Sequence, residues 1–207
     1  MTQIPVDLVV EDELSEAVAR RALDCTGKPF LVGAAYGKTG FGYLKKRILG
    51  FNKAAKSTPY LVLTDLDKSS CPPDLITDWF GQTQRHPNLL FRVAVREVEA
   101  WLLAHREAFA RFCGIAAKNI PKNVDQIEDA KQFLIRLVSK SKRRTVREDI
   151  VPSRTSFAKQ GPAYNLRMTE FVNRHWDPRI ASKCSESLSR TLSALDRFFP
   201  TWLTSGN

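Results

Sequence analysis

Cysteine and histidine are both scarce in this chain, and neither is grouped. The four cysteines, Cys25, Cys71, Cys113 and Cys184, form no Cys-x-x-Cys pair and match no histidine spacing, which argues against a structural zinc site and reads as reduced thiols. The three histidines, His86, His105 and His175, are far apart and have no nucleophile elbow nearby, so a serine or cysteine hydrolase finds no support. No apolar run approaches the roughly 18 residues that a membrane helix needs, and the N-terminus lacks signal-peptide form. The expectation is a cytoplasmic protein without a membrane segment. Internal repeats and low-complexity segments are also missing.

What is present suits a globular protein with a basic surface. With 207 residues and 43% hydrophobic content, the chain can bury a core for one α/β domain and a helical appendage. Its net charge of +10 favours a polyanionic partner such as nucleic acid, although charge alone is a weak signal.

Apolar runs near residues 6–10, 29–33, 60–64 and 90–95 read as strands, and they alternate with helical patterns near 13–25, 41–55, 74–83 and 97–112. Such alternation predicts a mainly parallel sheet flanked by helices, because parallel strands need crossover connections. The pattern stops near Gly114. Beyond Pro121 only helices are expected, near 125–140, 162–175 and 185–198, which divides the chain into an α/β core over 1–115 and a basic helical region over 116–207.

Acids sit where strands give way to helices. Leu63-Thr64-Asp65-Leu66-Asp67-Lys68 ends an apolar run in two aspartates one residue apart, and in an extended strand such a pair shares one face. Two uncompensated carboxylates raise each other's pKa, and a divalent cation relieves them. The bland reading is a pair of loop acids or a helix cap before Pro72 and Pro73. Val10-Glu11 closes the first strand, and Arg96-Glu97-Val98-Glu99 follows the fourth. In open α/β sheets ligands bind outside the carboxyl ends of strands, so these three junctions are expected to converge.

Together, Val10-Glu11 with Ser15-Glu16, Thr64-Asp65-Leu66-Asp67, and Val95-Arg96-Glu97-Val98-Glu99-Ala100-Trp101-Leu102-Leu103 resemble a Toprim domain, in particular small bacterial Toprim-like proteins related to the nuclease domain of OLD-family proteins. The likeness extends to Lys159-Gln160-Gly161-Pro162-Ala163-Tyr164-Asn165 and Trp176-Asp177-Pro178. It implies a Toprim-like fold and a Mg²⁺- or Mn²⁺-dependent nuclease in which Glu11, Asp65, Asp67 and Glu99 carry the chemistry and Glu97 or Glu99 adds a metal ligand. It also implies a role in phage defence beside an ATPase partner. Two positions depart from the pattern: Asp12 stands where glycine is common, and His105 where an aspartate often closes the helix.

The basic run Lys140-Ser141-Lys142-Arg143-Arg144-Thr145-Val146-Arg147 reads either as a solvated helix end or as a phosphate contact. Arg143, Arg144, Arg154 and Lys159 are the candidate nucleic-acid contacts, with Tyr164 adding a stacking or phosphate contact. Lys38 and Lys68 are candidate cations near the acids. Trp101 and Phe133 read as core. Gly33-Ala34-Ala35-Tyr36-Gly37-Lys38-Thr39 mimics a phosphate loop, but it has three residues where Walker A needs four, and a loop before a basic helix is expected instead. DNA stands ahead of RNA as substrate. The rival function is a noncatalytic nucleic-acid or partner-binding subunit of an ATPase system, and a nucleotidyl transferase is a further enzyme reading.

Overall fold

A computed structural model of the chain describes residues 2–37, 40–153, 155 and 157–204. Strands β1 (Ile4–Val10), β2 (Phe30–Gly37), β3 (Tyr60–Asp65) and β4 (Leu89–Ala94) alternate with helices α1 (Glu13–Asp24), α2 (Phe41–Ala54), α3 (Pro72–Phe80), α4 (Val98–Ala104) and α5 (Arg106–Cys113). Helices follow alone: α6 (Ala130–Val138), α7 (Arg144–Ile150), α8 (Tyr164–Arg174), α9 (Pro178–Ala181), α10 (Glu186–Arg197) and α11 (Thr201–Thr204). The four strands form one all-parallel sheet in the order β2-β1-β3-β4. The fold is therefore α/β, a parallel sheet flanked by helices with a helical C-terminal region.

Period-two burial separates the two faces of the sheet. Val6, Leu8 and Val10 of β1, with Leu61 and Leu63 of β3, face α1, α4 and the C-terminal helices. Val9, Tyr60, Val62, Phe91 and Val93 face α2 and α3, where Leu44, Ile48, Leu75 and Trp79 cover them. The first of these clusters runs unbroken from β1 to Leu195, so the helical region after Gly114 shares a core with the sheet. Indole donors tie it down: Trp101 Nε1 reaches Ser187 Oγ at 2.7 Å, and Trp176 Nε1 reaches the Trp101 carbonyl at 3.0 Å. Trp101 is core as expected; Phe133 is only partly buried against it.

Several elements differ from the sequence reading. Strand β2 runs on to Gly37, so Gly33-Ala34-Ala35-Tyr36-Gly37 is strand rather than loop. The bulge opposite Asp7 makes this possible: Asp7 Oδ1 accepts from the Ala34 amide at 2.9 Å, and a Cβ at position 33 would come within 2.5 Å of that oxygen. The helix expected over 97–112 is two helices, broken at His105, whose ψ of 62° ends α4 while its Nδ1 accepts from the Asp177 amide at 3.0 Å. Helix α6 starts at Ala130, where Asp129 caps it, rather than near 125. The basic run follows the end of α6 at Val138, as expected, and α7 then begins within it at Arg144. The four cysteines are free, and burial pushes the Cys113 thiol up to about 12. Among the described residues no helix is long and apolar enough to cross a membrane.

Candidate acidic site at the carboxyl edge of the sheet

The strand order 2-1-3-4 makes the crevice between β1 and β3 the place where consecutive crossovers diverge, and open parallel sheets bind ligands at such a switch. Glu11 follows β1 directly and Asp65 ends β3, so the two acids stand on either side of that crevice. Glu11 Oε1 accepts from Thr64 Oγ1 at 2.6 Å and from the Asp65 amide at 2.9 Å. The next residue, Asp12, caps α1 by accepting from the Ser15 amide at 2.8 Å.

Asp65 looks toward α4. Its Oδ1 accepts from the Val98 amide at 2.9 Å, the first amide of a helix whose residues are buried on every side. Glu97 turns instead to α6, where Oε2 accepts from the Lys131 amide at 2.7 Å. Glu99 is only 4% exposed; its Oε1 accepts from Tyr164 Oη at 2.9 Å and lies 3.9 Å from Lys131 Nζ, which sits over the Tyr164 ring. Amides opening α4 and α6 thus take two of the acids.

Asp67 does not share a strand face with Asp65. β3 ends at Asp65, and Asp67 lies in a turn with φ of 47°, a left-handed conformation that aspartate tolerates better than most residues. Arg96, itself at φ 54°, holds that turn: its carbonyl accepts from the Asp67 amide at 3.0 Å, and its guanidinium donates to the carbonyls of Asp67 and Ser69.

All five acids have raised pKa values, with burial the foremost cause. Burial lifts Asp65 well above the carboxylate range, and the charges of Glu99, Glu11, Asp67 and Glu97 lift it further. Glu11 is raised by burial against the lowering effect of Thr64 and the Asp65 amide. Glu97 is raised by burial despite the Lys131 amide, and Asp67 by partial desolvation that the Lys68 charge opposes. Burial brings Glu99 to about 7, with Lys131 and Tyr164 pulling the other way. The charges acting on Asp65 place the other four carboxyls in its electrostatic neighbourhood. Among the described residues, however, no group of three or more His, Cys, Asp or Glu side chains is placed to hold one metal ion.

Four participants were not foreseen in these roles: Thr64, Arg96, Lys131 and Tyr164. Tyr164 is 1% exposed and bonded to Glu99, so it offers no stacking face to a nucleic acid, a correction to the sequence reading. The only sequence signal for it was its place in the Gly161-Pro162-Ala163-Tyr164 segment. Among the candidate cations, Lys68 is exposed beside Asp67, and Lys159 is exposed with its carbonyl accepting from Gln132. Arg144 is exposed and paired with Glu148 at 2.8 Å along α7, whereas Arg143 donates to the Phe112 carbonyl at 3.1 Å. Lys38 and Arg154 lie outside the described residues.

Fold and site define a parallel α/β protein with Glu11 and Asp65 at its topological switch and further carboxyls nearby. No family model, curated protein or solved structure matches the chain.

Proposed function

We propose that the acidic edge is the site of a Toprim-type nuclease that cleaves phosphodiester bonds with Mg²⁺ or Mn²⁺. The observation that carries this reading is the mutual placement of Glu11 and Asp65 across the switch between β1 and β3, with Asp67, Glu97 and Glu99 around them and Lys131 the one basic group paired with any of the five among the described residues. Carboxylate oxygens are the donors that hard divalent cations prefer. As the side chains stand, no three of them reach one ion, so binding would draw in Asp67, which is exposed at the turn.

An anionic phosphodiester cannot approach five carboxyls unaided. The bound metal would supply positive charge to the phosphoryl oxygens and acidify water. Glu11 and Asp65 would hold it with the oxygens not given to Thr64 and Val98, and Asp67 and Glu97 would complete the donor set. Glu99, protonated up to about pH 7 and behind Asp65, would set how readily Asp65 ionises. Lys68 would meet the phosphate chain at the rim. The net charge of +10 supports a nucleic-acid substrate, DNA ahead of RNA, and the resemblance supports an ATPase partner.

The test is cleavage of single- and double-stranded DNA and RNA with Mg²⁺ or Mn²⁺, by wild type, Asp67→Ala and Glu11→Gln. Metal-dependent cutting that both substitutions abolish supports the reading. Cutting that survives both assigns the activity elsewhere. Absence of cutting by wild type, with nucleic acid still bound in chelator, moves the assignment to a binding subunit.

A further inference from the structure

A second polar site lies at the far end of α4 from the acids. His105, at the end of α4, and His175, at the end of α8, are 70 residues apart in the chain yet line the same groove of about 420 Å³, a convergence their sequence spacing concealed. Ala108, Arg111, Phe112, Arg143 and Arg174 complete its walls. Every charged residue in that lining is basic.

The groove is built rather than incidental. Arg143 packs its stem against Gly114, where a Cβ would come within 2.8 Å of Arg143 Cγ, and its guanidinium donates to the Phe112 carbonyl at 3.1 Å. The backbone amide of Arg143 is in turn fixed by Ser141 Oγ at 3.0 Å. The His175 ring rests on Phe112 at 5.3 Å between centroids and near Phe171 at 6.5 Å. Two nearby acids have other partners: Asp177 caps α9 through the Arg179 and Ile180 amides, and Glu170 pairs with Arg167 at 2.8 Å and only loosely with Arg174 at 3.6 Å. Arg111 has no ion pair among the described residues. Three arginines lining one concavity concentrate positive charge that an anion would offset, and planar forks of this kind match phosphate oxygens in pairs.

We propose that this groove binds a phosphate group, with Arg111, Arg143 and Arg174 as its ligands and His175 as an additional donor. The site is independent of metal and of cleavage. Whether the group is a free phosphate or part of a nucleic-acid backbone is decided by which probe responds.

The experiment is carried out in metal-free buffer on the full chain, so that it is silent about the acidic edge. Inorganic phosphate is titrated while the His175 imidazole resonances are followed, and a short single-stranded oligonucleotide is titrated by fluorescence anisotropy. The groove variant is Arg111→Gln with Arg174→Gln, both at exposed positions, and the control is Lys46→Gln with Arg47→Gln on the exposed face of α2, which removes equal charge. The groove variant should bind at least one probe about tenfold or more weakly, while the control changes it by less than about twofold. A response to inorganic phosphate identifies a free phosphate group, and a response confined to the oligonucleotide identifies the backbone. Equal loss in groove and control variants, or no loss of either probe in the groove variant, overturns the proposal and leaves only a diffuse basic surface.

Discussion

Glu11 and Asp65 are fastened to each other through the backbone: the carboxylate that follows β1 accepts the amide of the acid that ends β3 at 2.9 Å, while Asp65 spends its own Oδ1 on the first amide of α4. One acid cannot shift without disturbing the other, and through Val98 the pair is coupled to a helix that is buried on all sides. The arrangement keeps carboxyls in an enclosed place that they would otherwise leave by protonation or rotation.

Thr64 is the first place to test that fastening. It is 1% exposed, and its hydroxyl donates to Glu11 at 2.6 Å. Thr64→Val keeps the shape and removes the donor, so stability at neutral pH should fall by about 1–3 kcal/mol, the cost of losing a hydrogen bond to a charged group. Urea unfolding at pH 7 measures it. An unchanged midpoint would contradict a stabilising role for the Thr64–Glu11 bond.

Glu99 gives the fold a pH dependence with a defined sign. Its folded-state value of about 7 lies above the ordinary 4.5, so between those values the folded chain binds more protons than the unfolded one. Its contribution therefore worsens as pH rises from about 4.5 to about 7, and is recovered as pH falls back through that window. Glu99→Gln, whose amide oxygen still accepts from Tyr164, should be more stable than wild type at pH 8, on the order of 3 kcal/mol, with the difference vanishing near pH 5. Thermal melts of both proteins across that range provide the check, and a difference independent of pH would show that Glu99 does not titrate there.

Gly37 closes β2 beside the end of β1, and a Cβ there would lie 2.1 Å from the Val10 carbonyl at a φ of 102°. Gly37→Ala should destabilise by roughly 3 kcal/mol or more, since the obstacle is backbone. Gly27→Ala is the contrast: φ is +69°, but nothing lies within 4 Å of the added carbon, so only the strain of about 1–2 kcal/mol remains. Equal melting temperatures for the two variants would contradict the close approach of β2 to Val10.

The strands and the convergence of acids were legible because they rest on local signals. Apolar runs mark β1 and β3, and acids at strand ends mark the junctions. The geometry of Asp67 was not, since a left-handed turn at an aspartate leaves no trace in an Asp-x-Asp spacing. Nor was the break at His105, which lacks glycine or proline and depends on an amide 72 residues away in Asp177. Tyr164 and Lys131 reach the acids only through the packing of α6 and α8, as His105 and His175 meet only through that of α4 and α8. Long-range docking of helices has no periodic signature in the sequence.

The central claim is that Glu11 and Asp65 belong to one cation site, and Mn²⁺ titration of the metal-free protein followed by electron paramagnetic resonance tests it most directly. Wild type should show saturable binding, and Glu11→Gln and Asp65→Asn should each abolish it. The Asp65→Asn fold should melt no lower than wild type, because the side-chain amide oxygen still accepts from Val98 and the lost charge relieves the repulsion among its neighbours. Saturable Mn²⁺ binding that both variants retain, or its absence in wild type, would contradict the account.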